Sequence, residues 1–406
     1  MILAWFFVSA VAVGHLCLLV LVLNTAHAVG MSERATDRLM AIIATFWLGT
    51  TAALAWAAWS ATWQSWPVPL LAYALLCLAT GAVGLPFVTL ARLRRRTPTG
   101  VSEQIKARDL VSVAAATDLI GTGRHAWMLR LPGNESFQLQ RLEWHVEMRG
   151  LPPSCDGLSL LHLSDFHFAR CFERGFFEAV ADEAARGESD LVVFTGDLID
   201  HESTIDWIEP VLSRLRGRFG TFAILGNHDY SFDTGNIHRE LRKAGFANLD
   251  GRWRRLEIGA ASVAIGGTSA PWGPALDLEQ HAEADVRIVM SHTPDHFYRV
   301  ARQGIDLMLA GHNHGGQIRL PIVGPVLMPS RYSRRFDRGF FQSGQTLMYV
   351  SQGVAGKHPI RYGCPPEVTR IVLRSPLRRT LVNAAISDDR LRNGSGVHRR
   401  PGDLVH

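Results

Sequence analysis

Residues 158–167, Leu-Ser-Leu-Leu-His-Leu-Ser-Asp-Phe-His, read as a short apolar strand that runs straight into a carboxylate and an imidazole. Asp165 and His167 stand two apart at the point where the chain leaves regular pleating, so both side chains can turn toward one ion. The same arrangement recurs downstream. Strand 191–195 runs into Gly196-Asp197-Leu198-Ile199-Asp200, and 221–225 into Gly226-Asn227-His228-Asp229. Strand 286–290 ends at Ser291-His292-Thr293-Pro294-Asp295, and 305–310 at Gly311-His312-Asn313-His314-Gly315-Gly316-Gln317. Helical patterns at 172–185 and 205–215 lie between strands rich in Val, Ile and Leu, which points to α/β layers. In such sheets ligands gather beyond the carboxyl ends of the strands. All five polar clusters fall there and can converge.

The donors are chemically mixed: carboxylates (Asp165, Asp197), imidazoles (His167, His228, His292, His312, His314) and one amide (Asn227). Nitrogen and oxygen together suit Mn, Fe or Zn better than Mg or Ca. They exceed what one ion needs, whereas two ions about 3.5–4 Å apart with a shared carboxylate would use them. Gly196, Gly226 and Gly311 stand directly before the polar residues, where a missing side chain permits a sharp turn and close backbone approach. Any one of these pairs alone reads as an ordinary loop. Five in phase with strand ends do not.

Taken in order, Asp165-Phe166-His167, Gly196-Asp197-Leu198-Ile199-Asp200, Gly226-Asn227-His228-Asp229, His292 and Gly311-His312-Asn313-His314 make a pattern that resembles the calcineurin-like metallophosphoesterase superfamily, over about 157–373. The forms at 291–295 and 311–317, with Gly353 to Arg361 and Pro365-Pro366-Glu367, resemble its membrane-associated branch. The resemblance implies a four-layer α/β/β/α sandwich and a dinuclear, metal-dependent phosphoester hydrolase. It assigns Asp165, His167 and His314 to one metal, Asn227, His292 and His312 to the other, and Asp197 as the bridge. His228 would act on the scissile phosphate and Asp229 would orient its ring, while Asp200 would tether its loop. Water shared by two cations loses its proton near neutral pH and can attack phosphorus in line.

The N-terminal region has a different character. Residues 2–23 carry no Asp, Glu, Lys or Arg, and none appears from Leu39 to Ala91. Roughly 20 apolar residues span a bilayer, so three spans are expected at about 2–23, 39–62 and 68–91, a small transmembrane bundle. Ala26-His27-Ala28 looks like a signal-peptide cleavage site, but no Lys or Arg precedes the apolar run. Arg34 and Arg38, and then Arg92, Arg94, Arg95 and Arg96, put the catalytic part on the cytoplasmic side of a cell membrane by the positive-inside rule. The expected division is 1–96 transmembrane, 97–156 juxtamembrane, 157–375 catalytic and 376–406 a mobile tail. Residues 102–116 read as a short helix at the membrane, and 138–148 as a strand at the edge of the next domain.

A membrane tether makes a lipid-linked phosphoester or pyrophosphate the natural substrate, with Phe166 and Phe168 lining an acyl groove. Phe172, Phe176 and Phe177 would pack the following helix. Within the resembling branch, cleavage of an acylated nucleotide-sugar pyrophosphate is one known activity; a broad phosphodiesterase or phosphatase on a soluble substrate is the alternative. A non-catalytic membrane scaffold would show eroded metal ligands, and none is eroded here. The formal charge of +5 is only a weak signal for nucleic acid, which the anchor and the lack of a dense basic groove signature disfavour. Five cysteines match no disulfide framework or zinc pattern. Arg331, Arg334, Arg335 and Arg338 form a basic loop, either for headgroup phosphates or simply solvated, and Trp272 reads as part of a lid.

Overall fold

A computed structural model describes residues 2–31, 33–60, 66–107, 117–280 and 283–376. Three helices come first: α1, Ile2–His27; α2, Glu33–Ser60; and α3, Val68–Leu93, which takes a π-helical turn at Thr80–Gly84. Each contains a window of mean hydropathy 1.7 or more over at least 20 residues, long and apolar enough to cross a membrane. A polar knot ties them together. The two ring nitrogens of His15 on α1 meet Tyr73 Oη on α3 (2.7 Å) and Thr51 Oγ1 on α2 (2.8 Å).

The rest folds as two stacked sheets. The first has seven strands in the spatial order Val101–Ala107, Gln140–Glu147, Glu367–Arg374, Ser159–Leu163, Ser189–Thr195, Gly217–Ile224, Ala247–Asn248. The second has six: Gly339–Ser343, Thr346–Val350, Leu307–Ala310, Val286–Ser291, Ala261–Thr268, Trp253–Ile258. Within each sheet the strands that end in polar clusters run parallel to one another, so their carboxyl ends share one edge.

Alternation along the strands sorts the core into layers. Leu160, Leu191 and Val193 face the second sheet and meet Ile265, Ile288, Met290 and Leu309. Their neighbours Leu161, Leu163, Val192 and Phe194 face outward, under Phe177 and Val180 of helix Arg174–Ala184 and Ile237 and Leu241 of helix Thr234–Lys243. On the far side, Val289, Met308 and Met348 pack beneath Phe297 and Val300. This is the expected α/β/β/α sandwich.

Three expectations need correcting. Val101–Ala107 is a strand rather than the start of a helix, paired antiparallel with Gln140–Glu147; residues 108–116 lie outside the described ones. Gln140–Glu147 is therefore second from the edge, held between that strand and Glu367–Arg374. Cross-strand pairing overrides the helical propensity of Glu103, Gln104 and Lys106. Phe166 and Phe168 line no acyl groove. Both are completely buried, in ring contact with each other and with Phe177. Phe172, Phe176 and Phe177 do pack the following helix. The expected tail falls outside the described residues from 377 on.

The helix ends are fastened to the loops beyond the sheets. Asn24 near the end of α1 donates to Ser333 Oγ (3.0 Å) and accepts from Met328 N (2.8 Å). Arg92 at the end of α3 donates to Ile322 O (2.5 Å), and Arg95 pairs with buried Asp337, which Arg319 also contacts at 2.8 Å. The C-terminal ends of α1 and α3 thus sit on the same side as the sandwich.

Candidate metal centre

The five strand-end clusters meet at one place. Asp165, His167, Asp197 and His314 can each offer a donor atom with all four atoms within 4.8 Å of one another, and so can Asp197, His292 and His312. Asp197 belongs to both groups. Its Oδ2 lies 3.5 Å from His167 Nε2 and 3.3 Å from His292 Nε2. Asn227 joins the second group, with Oδ1 3.0 Å from His292 Nε2. Every residue expected to hold metal is therefore present in one cluster.

Local backbone explains how the side chains arrive there. Asp165, His167, Asp197, His312 and His314 all have positive φ, between 46° and 68°. That left-handed region costs a non-glycine residue roughly 1–2 kcal/mol. So many in one place mark a strained functional turn. Glycine is required beside them: a Cβ on Gly226 would stand 2.2 Å from Asp197 Oδ1, and one on Gly311 2.4 Å from Asp165 Oδ2.

Three of the imidazoles, those of His167, His292 and His314, are aimed by their other nitrogen. His167 Nδ1 bonds Asp200 Oδ2 (3.0 Å), His292 Nδ1 bonds Thr195 O (2.8 Å) and His314 Nδ1 bonds Ala355 O (3.1 Å). This is the support that fixes a tautomer and leaves Nε2 for a metal. Those free nitrogens point at each other: His167 Nε2 and His314 Nε2 are 3.2 Å apart, and His292 Nε2 and His312 Nδ1 3.1 Å. Converging lone pairs beside buried carboxylates fit divalent cations of the kind that take mixed nitrogen and oxygen donors.

Charge in the cluster supports that fit. Burial and the neighbouring His292 hold His312 well below the usual imidazole range, and burial and His167 do the same for His314. Both stay neutral and able to ligate. Burial pulls His292 down, but Asp197 and Asp165 outweigh it and raise it to about 9. Protons on His292 and His167 thus answer the buried carboxylates where cations would do so when bound.

The orienting roles differ from expectation. Asp229 does not reach the His228 ring. Its Oδ1 accepts from Leu198 N (2.9 Å) and Ile199 N (3.0 Å), and its Oδ2 from Gly226 N (2.8 Å). Asp200 is the partner instead, with Oδ1 2.5 Å from His228 Nδ1. The 3₁₀ turn starting at Asp229 directs that side chain back under the loop, so Asp229 ties the backbone and Asp200 aims the ring. His228 remains partly open to solvent, whereas Asp165, His167, Asp197, His292 and His312 around it are buried.

A profile of the calcineurin-like phosphoesterase family matches residues 158–316. The phosphodiesterase YaeI of Escherichia coli (strain K12) is 30% identical over 223 residues, covering 53% of this chain and 81% of YaeI. The chain belongs to the calcineurin-like phosphoesterase family. As a calcineurin-like phosphoesterase it is a hydrolase, of a family that binds divalent metal ions. The uncharacterized metallophosphoesterase YkuE of Bacillus subtilis (strain 168) is 28% identical over 256 residues, 59% of this chain and 87% of YkuE. A Bos taurus transmembrane protein with a metallophosphoesterase domain is 29% identical over 255 residues, 57% of this chain and 56% of that protein.

One contributor escaped sequence reasoning. Arg361 is buried and donates to Ala355 O (2.6 Å), the same carbonyl that holds His314 Nδ1. The sequence marked 353–361 only through its resemblance to the membrane-associated branch. Trp272 packs its ring on His292 and His312, with centroids 5.7 and 5.0 Å away. It roofs that half of the site, and the preceding Pro271 is touched by Gly30 from the turn after α1. In the basic loop, Arg338 bonds Gln352 Oε1 and Arg334 bonds Val323 O, so these two brace the structure.

Proposed function

We propose that the protein is a dinuclear metal-dependent phosphoester hydrolase, acting on a lipid-linked phosphoester or pyrophosphate at the cytoplasmic face of a membrane. The observation that carries the dinuclear reading is Asp197, common to both donor groups. In this reading Asp165, His167, Asp197 and His314 hold one ion, and Asp197, Asn227, His292 and His312 the other. Two bound cations supply a lowered water pKa and charge neutralisation at phosphorus.

The chain's own groups do the remaining work. His228, with Nδ1 fixed on Asp200, presents Nε2 to substrate as donor to a phosphoryl oxygen or the leaving oxygen. Burial lowers its pKa, but Asp200 and Asp197 outweigh that and raise it to about 10, so the ring carries a proton to give. Trp272 covers the His292–His312 half and excludes water there.

Support for a lipid substrate comes from the seam between helices and sandwich. Segments flanking the cluster, at Pro271, Ile322, Met328 and Ser333, are the ones that the C-terminal parts of α1 and α3 and the turn after α1 touch. The hairpin Arg319–Leu320/Gly324–Pro325, a few residues after His314, also exposes Leu320 and Ile322 beside Arg92. An apolar tip next to helix ends suits the headgroup layer. The arginines at 92–96 support a cytoplasmic position.

The test is hydrolysis by the full chain in nanodiscs, with Mn, Fe or Zn added, of bis(4-nitrophenyl) phosphate and of a panel of phospholipids and acylated nucleotide-sugars. Metal-dependent turnover that is faster on a lipid is expected. Turnover on soluble diesters with none on any lipid would overturn the substrate reading, and a C-terminal reporter that matures only outside the membrane would overturn the sidedness.

A further inference from the structure

Beside His228 lies a cavity of about 490 Å³ whose walls include Arg124, Arg170 and Lys357 and whose lining reaches His228 and Asp200. Its volume is in the range of small-molecule sites. The way one wall is built is specific. The loop carrying Arg124 lies against the segment after His167: Gly121 N donates to Cys171 O (2.9 Å) and Gly123 N to Arg170 O (2.6 Å). A Cβ on Gly121 would stand 2.3 Å from Arg170 O, and one on Gly123 2.6 Å from the Arg170 carbonyl carbon. Two glycines in that loop thus let the Arg124 and Arg170 backbones approach and place both residues in the wall of the same cavity. Lys357 comes from the segment after the last strand of the second sheet, and its charge is felt at both His228 and His358.

Arg124 and Arg170 bring like charges to one cavity, and these repel one another. Among the described residues of that lining Asp200 is the one carboxylate, and two histidine rings already occupy it. The arrangement is favourable when an anion sits among the cations. Arg124 also lies before the region 158–316 that matches the family, where loops added to a shared catalytic scaffold set specificity.

We propose that this cavity is a second anion subsite: it binds a phosphate or carboxylate on the part of the substrate that is not cleaved, while the phosphorus under attack lies at His228. The proposal rests on the phosphoesterase reading above and narrows its substrate to molecules carrying two anionic groups. A monophosphorylated phosphoinositide headgroup and a soluble nucleoside diphosphate share that chemistry.

The experiment uses the full chain in nanodiscs without added metal, titrated calorimetrically with glycerol 1,3-bisphosphate and with glycerol 1-phosphate. Wild type should bind the bisphosphate about thirtyfold more tightly, and R124A/R170A should reduce that preference to about twofold. R124K/R170K should keep most of it. In the metal-loaded protein, turnover of bis(4-nitrophenyl) phosphate by R124A/R170A should stay within about twofold of wild type, since that diester has no second anion. An unchanged bisphosphate preference in the double Ala variant would overturn the proposal. So would an equal loss on the simple diester, which would make the arginines part of general folding or catalysis. If the bisphosphate binds as expected but no metal restores hydrolysis of any diester, the phosphoesterase reading fails and the subsite stands. Phosphatidylinositol 4-phosphate in the disc and ADP in solution then compete for the site, and the one that displaces the bisphosphate identifies the source.

Discussion

Replacing Asp200 by Asn should damage two functions through one side chain. Its Oδ1 serves His228 Nδ1 at 2.5 Å and its Oδ2 serves His167 Nδ1 at 3.0 Å. An amide has one acceptor oxygen and one donor nitrogen, so it can satisfy only one of the two rings and turns a donor toward the other. Loss of such a supporting bond costs about 10- to 100-fold in activity or metal affinity. D200N should therefore lower kcat at saturating metal, weaken metal binding, or do both, with melting temperature little changed. D229N is the matched control. Its oxygens hold three backbone N–H groups, and the amide leaves one of those buried donors facing another donor, at a cost of about 1–3 kcal/mol. Part of that is offset, because burial and the Asp197 charge already raise the Asp229 carboxyl to about 7. The net loss should appear as a drop of about 2–6 °C in Tm. Steady-state kinetics on bis(4-nitrophenyl) phosphate, metal titration and thermal unfolding separate the two. A D200N protein with unchanged kcat and metal affinity, beside a D229N protein that loses turnover at unchanged Tm, would refute the assignment.

Other substitutions have distinct signatures. H228A should retain its metal and lose about 10²–10³-fold in kcat, measured with metal content on the same sample; D197N should lose metal from both halves. In the metal-free protein the His228 ring, titrated by NMR, should hold its proton to about pH 10, and D200N should bring that value down. The sign for stability follows. The folded pKa is raised above 6.5, so the contribution of His228 to metal-free stability is complete below about pH 6.5 and disappears as pH rises through about 10. F166A should cost about 3–5 kcal/mol in denaturant titration, as a deleted core ring does. A groove-lining Phe166 would instead change KM on lipid with little loss of stability.

Much of this was legible in the chain because strand and ligand share a short window. A short apolar run ending in Asp165-Phe166-His167 or Gly311-His312-Asn313-His314 announces both the sheet and the edge where ligands collect. The apolar helices were equally plain from the absence of charge. Other features depend on contacts distant in sequence. Whether Asp200 or Asp229 meets His228 is decided by a turn that sends Asp229 back toward three N–H groups, and both residues have suitable chemistry. Strand Val101–Ala107 exists only because Gln140–Glu147 is there to pair with it. Phe166 and Phe168 alternate with Asp165 and His167, yet the positive φ at Asp165 and His167 sends their rings into the core. Arg124 and Arg170 lie far apart in the chain and meet through two glycines.

Metal stoichiometry tests the centre most directly. The full chain, purified in nanodiscs with Mn or Zn and analysed by mass spectrometry, should hold about two ions, H312A about one, and D197N fewer than one. Diester hydrolysis should fall with them and return when metal is restored to wild type. One ion in wild type that H312A leaves in place, or full hydrolysis after both ions are chelated, would contradict a shared Asp197 between two metals.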